Sequence, residues 1–191
     1  MTRSPRLVPA TGAVVALHVW PSGAEVPVPL ETLELDLGGP VGDRHHGVEA
    51  SSDERQKWLY PPGTTIRNNR QVSLVDVDEL ALIASQLGLD ELAPGTIADN
   101  VCTRGIPQLS GLPPMSRLVF GDDAEGPVIV VLGRNNPCTI AGGLVERAYG
   151  TPAHQFPKAA MNHRGITGWV ERAGVLRAGL PVRVVDVQPA G

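Results

Sequence analysis

Cys138 lies in the stretch Arg134-Asn135-Asn136-Pro137-Cys138-Thr139-Ile140, with Arg134 just upstream and no acidic residue between Glu125 and Glu146. The most apolar run of the chain, Pro127 to Leu132, precedes it, and a segment of helical character follows. A thiol between a buried strand and a helix start is held rigidly yet stays reachable. A guanidinium and a helix N-terminus both favour thiolate over thiol, and the thiolate is the form that ligates soft metals or attacks sulfur. The competing reading is that Cys138 is a small buried hydrophobe, as free cysteine commonly is. This stretch alone leaves the two even. Cys102 forms no CxxC pair with it and reads as structural, with at most a resolving role toward an oxidised or persulfidated Cys138.

A second concentration of functional side chains is Gly38 to Gly47 (GGPVGDRHHG), where Asp43, Arg44, His45 and His46 stand among four glycines. Loops on rigid scaffolds collect functional groups, so this turn is expected to face a ligand. Adjacent histidines in extended chain point to opposite sides, so one of the two is expected to face the site. HxH and HExxH spacings are absent, and no zinc site is read here.

The elements that must position these groups are mostly strands. Residues 1–11 read as a loose tail. Gly12–Trp20, Thr32–Leu37, Arg70–Val75, Arg117–Gly121, Pro127–Leu132, a segment from Gly168 to Glu171 and Pro181–Val187 read as strands, from β-branched content or alternation. Val26-Pro27-Val28-Pro29 cannot lie in a central strand, because each proline removes a ladder donor. Residues 49–69 read as a polar surface loop, with Trp58-Leu59-Tyr60 packing it down or closing over a pocket. Asp76–Gly88 is the clearest helix: Leu80, Ile83, Ala84 and Leu87 share a stripe, Asp76 or Asp78 caps it and Gly88 ends it. Leu144–Tyr149 reads as a second helix stopped by Gly150, and Leu109 to Pro114 as a turn. About eight strands and two helices, with strands adjacent in sequence, call for an antiparallel barrel or curved sheet.

Composition is consistent with this. At 191 residues, with 42% hydrophobic and 19% charged residues, the chain suits one ordered domain. The 22 glycines and 18 prolines are scattered, which favours many turns between short elements. A net charge of −4 argues against nucleic acid or an anionic membrane as partner. Val14–Leu17 is too short for a signal-peptide core, and no run approaches the roughly 20 apolar residues of a membrane span. A cytoplasmic protein of a reducing compartment is expected.

GDRHHG, RQVSL, ADNVCTRGI, NPCTIAG and RGITGWVERAGVLRAGLPVRVV, in this order, resemble the MOSC domain, the module at the carboxyl end of molybdenum-cofactor sulfurases and in stand-alone bacterial proteins. The resemblance runs from about Gly12 to Val187, one domain in all, without the pyridoxal-phosphate-dependent desulfurase of the larger sulfurases. One departure is Gly179-Leu180-Pro181, where many members carry Gly-Asp before the last strand. The resemblance implies a mostly β, barrel-like fold of antiparallel and mixed strands with a few short helices. It implies a role in handling sulfur or molybdenum cofactor, with Cys138 as the metal ligand or sulfur carrier. It places Asp43 and His46 in the GD-x-H-x-G signature, Arg70 and Gln71 in the arginine-led strand, Asn100 in the middle motif and Arg164 in the late RG turn.

These types suit the chemistry. Arg44, Arg70, Arg134 and Arg164 are candidates for the cofactor's phosphate and flat ring, through forked hydrogen bonds and stacking; Arg134 is the first choice. For any one of them, solvation or a carboxylate pair is the competing role. Asn and Gln side chains can read a pterin edge, and His46 can move a proton near neutrality or simply serve its turn. A reductase would need an external electron-transfer protein, and a sulfur carrier a sulfur donor. The reading from a different class is a non-catalytic module that uses the same basic pocket for an anionic ligand or partner peptide.

Overall fold

The computed structural model describes residues 7–122 and 125–185. Strands β1 (Leu7–Val19), β2 (Val28–Leu30), β3 (Thr32–Asp36), β4 (Gly39–Pro40), β5 (Glu49–Ser51), β6 (Thr65–Arg67) and β7 (Val72–Asp76) precede helix α1 (Val77–Leu87). Then come β8 (Val101–Arg104), β9 (Arg117–Phe120), β10 (Val128–Arg134), α2 (Thr139–Tyr149), α3 (Phe156–Ala159), β11 (Ile166–Arg172), β12 (Gly174–Arg177) and β13 (Pro181–Val185). Leu109–Gly111 and Ala153–Gln155 form 3-10 turns.

Seven strands close a barrel in the order β1, β13, β9, β10, β11, β7, β8 and back to β1. The long β1 makes the closure, its first half pairing with β13 (Thr11 opposite Arg183) and its second with β8 (Leu17 opposite Val101). Closure removes the free edges that an open sheet would expose. The barrel pairings are antiparallel except β7–β8, which is parallel because α1 carries the chain back. β2, with Pro29 at its centre, hangs on β1 at the rim, and β3 pairs with β4 and β12 in a separate small sheet. The expected mostly β barrel with a few short helices is the fold.

Alternation along the strands sorts side chains into two cores. Val72 and Leu74 of β7 and Val101 of β8 join the barrel interior with Leu33, Leu35, Leu118, Phe120 and Ile129. Val75 and Cys102, on the other face of the same strands, join Leu80, Ile83 and Ala84 of α1, Val145 of α2 and Phe156 of α3. α1 is built as the sequence predicts: Asp76 caps it by accepting from the Asp78 N–H at 3.2 Å, and Gly88 ends it in the left-handed region.

Three expectations are corrected. β1 begins at Leu7, so residues 7–11 are strand and not tail, with a register shift between Leu7 and Thr11. α2 begins at Thr139 rather than Leu144. Gly142 and Gly143 hide its start from propensity, and Gly142 is needed there because a Cβ would fall 2.2 Å from the Ala153 carbonyl oxygen. Within 49–69, the expected loop contains the β5–β6 hairpin, and its tip does not pack down: Trp58 is 80% exposed. Residues 1–6 of the tail and 186–187 of the last expected strand lie outside the described residues. Among the described residues, no helix is long and apolar enough to cross a membrane.

Candidate functional site

The loops at one end of the barrel, together with the β5–β6 hairpin, surround a cavity of about 760 Å³. Cys138 opens onto it. It is the N-cap of α2, in extended geometry, and its carbonyl oxygen accepts from the Gly142 N–H at 3.1 Å. Half-burial alone would push the thiol up. The N–H of Ala141, the Arg164 guanidinium and the N–H of Ile140 outweigh that effect and hold Cys138 below the ordinary thiol value. Arg164 Nη1 lies 3.4 Å from Sγ. The expected thiolate-favouring surroundings are therefore present, but the guanidinium is that of Arg164 and not the upstream Arg134.

Arg164 reaches Cys138 by bonding backbone on both sides, donating to Asn136 O at 2.6 Å and Ile97 O at 3.4 Å. Its Nε is buried without a partner. Arg70 also lines the cavity, and its Nη2 donates to Asn135 Oδ1 at 3.3 Å. Burial, then the cations Arg55 and Arg164, pull Arg70 below the ordinary arginine value. Five arginines (Arg44, Arg55, Arg67, Arg70 and Arg164) line the cavity against two acids, Glu49 and Asp53, and Asp53 is already paired with Arg55. In a chain of net charge −4, this mouth is locally positive.

The remaining candidates divide. Arg44 lines the cavity but stacks 3.7 Å over Trp20 and donates to the carbonyls of Trp20, Pro21 and Ala24, which makes it a clip for the entry turn. Arg134 does not line it: Nε donates to Ser110 O at 3.1 Å and Nη1 to Asn162 Oδ1 at 2.9 Å. Asp43 does not line it either. Its oxygens accept from the N–H groups of Trp20 and His45, from Asn100 Nδ2 at 2.9 Å and pair with His45 Nδ1 at 2.9 Å. Asn100 lines the cavity with its polar capacity already used, Oδ1 on Ser73 and Nδ2 on Asp43 and His18 O. Counted along GD-x-H-x-G, the signature histidine is His45, and it is His45 that meets Asp43. His46 instead pairs with Asp36 at 2.9 Å; both histidines border the cavity. Gln71 donates to Leu37 O and accepts from Val170 N–H, holding β7 to its neighbours.

Arg55 and Arg67 were not singled out by sequence reasoning, and Tyr60 entered only as part of the segment read as packing down or closing over a pocket; all three line the cavity. They come from the hairpin, whose two strands are three residues each, too short for a periodic signal. Among the described residues, no three His, Cys, Asp or Glu side chains group to hold a metal ion.

Comparison with known proteins bears on the family and the fold. The MOSC domain model matches residues 43–183, from the Asp43 turn to β13. YuaD of Bacillus subtilis (strain 168), whose name proposes a part in metal–sulfur cluster biosynthesis, is 30% identical over 181 residues, covering 93% of this chain and 92% of that protein. The crystal structure of YuaD superposes with a TM-score of 0.85, covering 93% of this chain and 97% of that one. YiiM from Geobacillus stearothermophilus, at 13% identity and a TM-score of 0.62 over 92% of this chain and 75% of its own, shares the fold. The family model spans most of the chain and the likeness to YuaD runs over nearly the whole length of both proteins, so the chain belongs to the MOSC domain family.

Proposed function

We propose that the protein binds molybdenum cofactor in this cavity, with Cys138 as the thiolate ligand of the metal. The observation that carries the reading is the Cys138 thiol at the α2 N-terminus, 3.4 Å from Arg164, facing a cavity with more cations than anions. The residues fit the group on three counts. A soft thiolate is available. Among the described residues no carboxylate pairs with the partly buried Arg70, so an incoming phosphate would meet a forked donor held only by the Asn135 amide oxygen. The volume lies in the range of cofactor pockets.

Arg70, with Arg55 and Arg67 on the hairpin, would hold the anionic end. Arg164 would keep Cys138 deprotonated. The rim imidazoles of His45 and His46, each paired through one ring nitrogen with Asp43 or Asp36, would exchange protons with a bound substrate through the other. When bound, the cofactor would supply the redox chemistry for reducing N-hydroxylated compounds, with electrons from a separate electron-transfer protein.

A second reading is favoured by the name of YuaD. There Cys138 thiolate attacks the outer sulfur of a donor persulfide; the donor leaves as its thiolate and Cys138 becomes the persulfide. Elemental analysis and intact mass separate the readings, on protein from a host that makes the cofactor. Stoichiometric molybdenum, lost in Cys138→Ala with the fold intact, is the expected result. A reductant-sensitive gain of one sulfur on Cys138 without molybdenum would replace it with the carrier reading. Neither signal would return the site to an anion-binding pocket.

A further inference from the structure

We infer that Ser110 and Arg134 are positioning residues that hold Arg164 against Cys138 from outside the cavity. Neither lines it.

Ser110 sits in the 3-10 turn Leu109–Gly111 and is 2% exposed. Each of its polar groups is committed to a different part of the fold. Its N–H donates to Glu79 Oε1 on α1 at 2.8 Å. Its Oγ accepts from the Gly165 N–H at 2.7 Å. Its carbonyl oxygen accepts from Arg134 Nε at 3.1 Å. Gly165 directly follows Arg164, and Arg134 begins the loop that ends at Cys138. One short turn, anchored on a helix, therefore grips the two loops that must bring a guanidinium and a thiol together.

The grip is closed by two cross-links. Arg134 Nη1 donates to Asn162 Oδ1 at 2.9 Å, and the Asn135 N–H donates to Gly165 O at 2.9 Å. Gly165 is also fixed from behind. It has φ 77°, and a Cβ there would lie 1.8 Å from Leu74 O, so its backbone presses directly on β7. Between β7 and the Ser110 hydroxyl, the Arg164 backbone has little freedom.

The consequence is electrostatic. Arg164 and Cys138 lie 26 residues apart in sequence, and their contact depends on how the two loops are registered. The attraction between a cation and a thiolate weakens with separation and with entering water. Loosening the turn should weaken it while leaving both residues in place. This inference rests on Arg164 as the counter-ion of Cys138, and the experiment separates the two.

Native protein is alkylated at one pH with iodoacetate, an anion, and with iodoacetamide, which is neutral, and the rate ratio at Cys138 is measured. A nearby guanidinium draws in the anionic reagent. Wild type should favour iodoacetate over a free-thiol reference, and Arg164→Gln should lose most of that preference. Ser110→Ala and Arg134→Gln should each lower it by about three- to tenfold, with cooperative unfolding retained. Arg134 is exposed, so Arg134→Gln tests the idea even if Ser110→Ala does not fold. A wild-type ratio in folded Arg134→Gln, alongside a lost ratio in Arg164→Gln, would overturn the positioning role alone. An unchanged ratio in Arg164→Gln would overturn the counter-ion reading as well.

Discussion

Cys102 and Cys138 are each followed by threonine, and both touch the core cluster between the barrel and its helices. Cys102 lies within that cluster and is completely buried; Cys138 packs against its margin and opens to the cavity. Burial pushes the Cys102 thiol far up, and the carboxyl groups of Asp99 and Asp76 push it further. Its hydrogen bond is a weak one, to its neighbour's carbonyl oxygen at 3.8 Å. Cys138 meets N–H groups and a guanidinium instead. The same contrast extends to their surroundings. Near Cys102, burial moves Asp76, Glu79 and Asp99 up and His18 down, all towards the neutral form. Behind the rim histidines, hydrogen bonds overcome burial and hold Asp36 and Asp43 below the usual carboxylate value. What decides a thiol's fate here is which donors the backbone presents to it, more than how apolar its sequence neighbours are.

The largest effect should be in labelling. With a small neutral alkylating reagent at pH 7, Cys138 should react at least about a hundredfold faster than Cys102, which should react only through opening of the fold. Peptide mapping by mass spectrometry reads the two sites in one sample. Comparable rates in the folded protein would remove the contrast.

Much of this was legible beforehand and some was not. The α1 cap, stripe and stop are local signals, and all three hold because a capping carboxylate and a left-handed glycine work within a few residues. The position of Cys138 between a strand and a helix start was legible too, since both are its immediate neighbours in sequence. Its counter-ion was not: Arg134 is near in sequence, but β10 turns its side chain towards Ser110 and Asn162, while Arg164 arrives from a distant loop. Asp43 and Asn100 were named in two separate motifs, and only the fold shows that they spend their polar atoms on each other and on backbone. The hairpin arginines were hidden because strands of three residues leave no period to read.

A smaller effect tests the claim that the Cys102 side suppresses charge. Glu79 is buried and its carboxyl is pushed up to about 7, by burial first, with Asp76 adding to it against the bonds from Ser110. The folded state therefore binds its proton more tightly than the unfolded chain does, where a glutamate titrates near its ordinary value. Between roughly pH 4.5 and 7 the folded protein holds more protons, so this group makes stability fall as pH rises through that window and level off above it. The contribution is on the order of 3 kcal/mol. Glu79→Gln keeps an acceptor for the Ser110 N–H and should flatten the slope, making the variant the more stable one at pH 8. Chemical denaturation across that range checks it; a wild-type slope in the variant would place the titration elsewhere.

Cys102→Ala sets the lower limit of the comparison. Removing one buried sulfur leaves a small void among Leu80, Ile83 and Phe156 and should cost about 1 kcal/mol of stability. The void lies in the cluster that Cys138 also touches, so packing alone would allow the loss to reach the site. The groups that set the Cys138 thiol are the Ile140 and Ala141 N–H donors and Arg164, and none of them is bonded to Cys102. The alkylation rate of Cys138 in Cys102→Ala should therefore stay within about twofold of wild type, even though stability falls. A larger drop would mean that the second core, and not the donors at the α2 start, keeps the thiol in its reactive form.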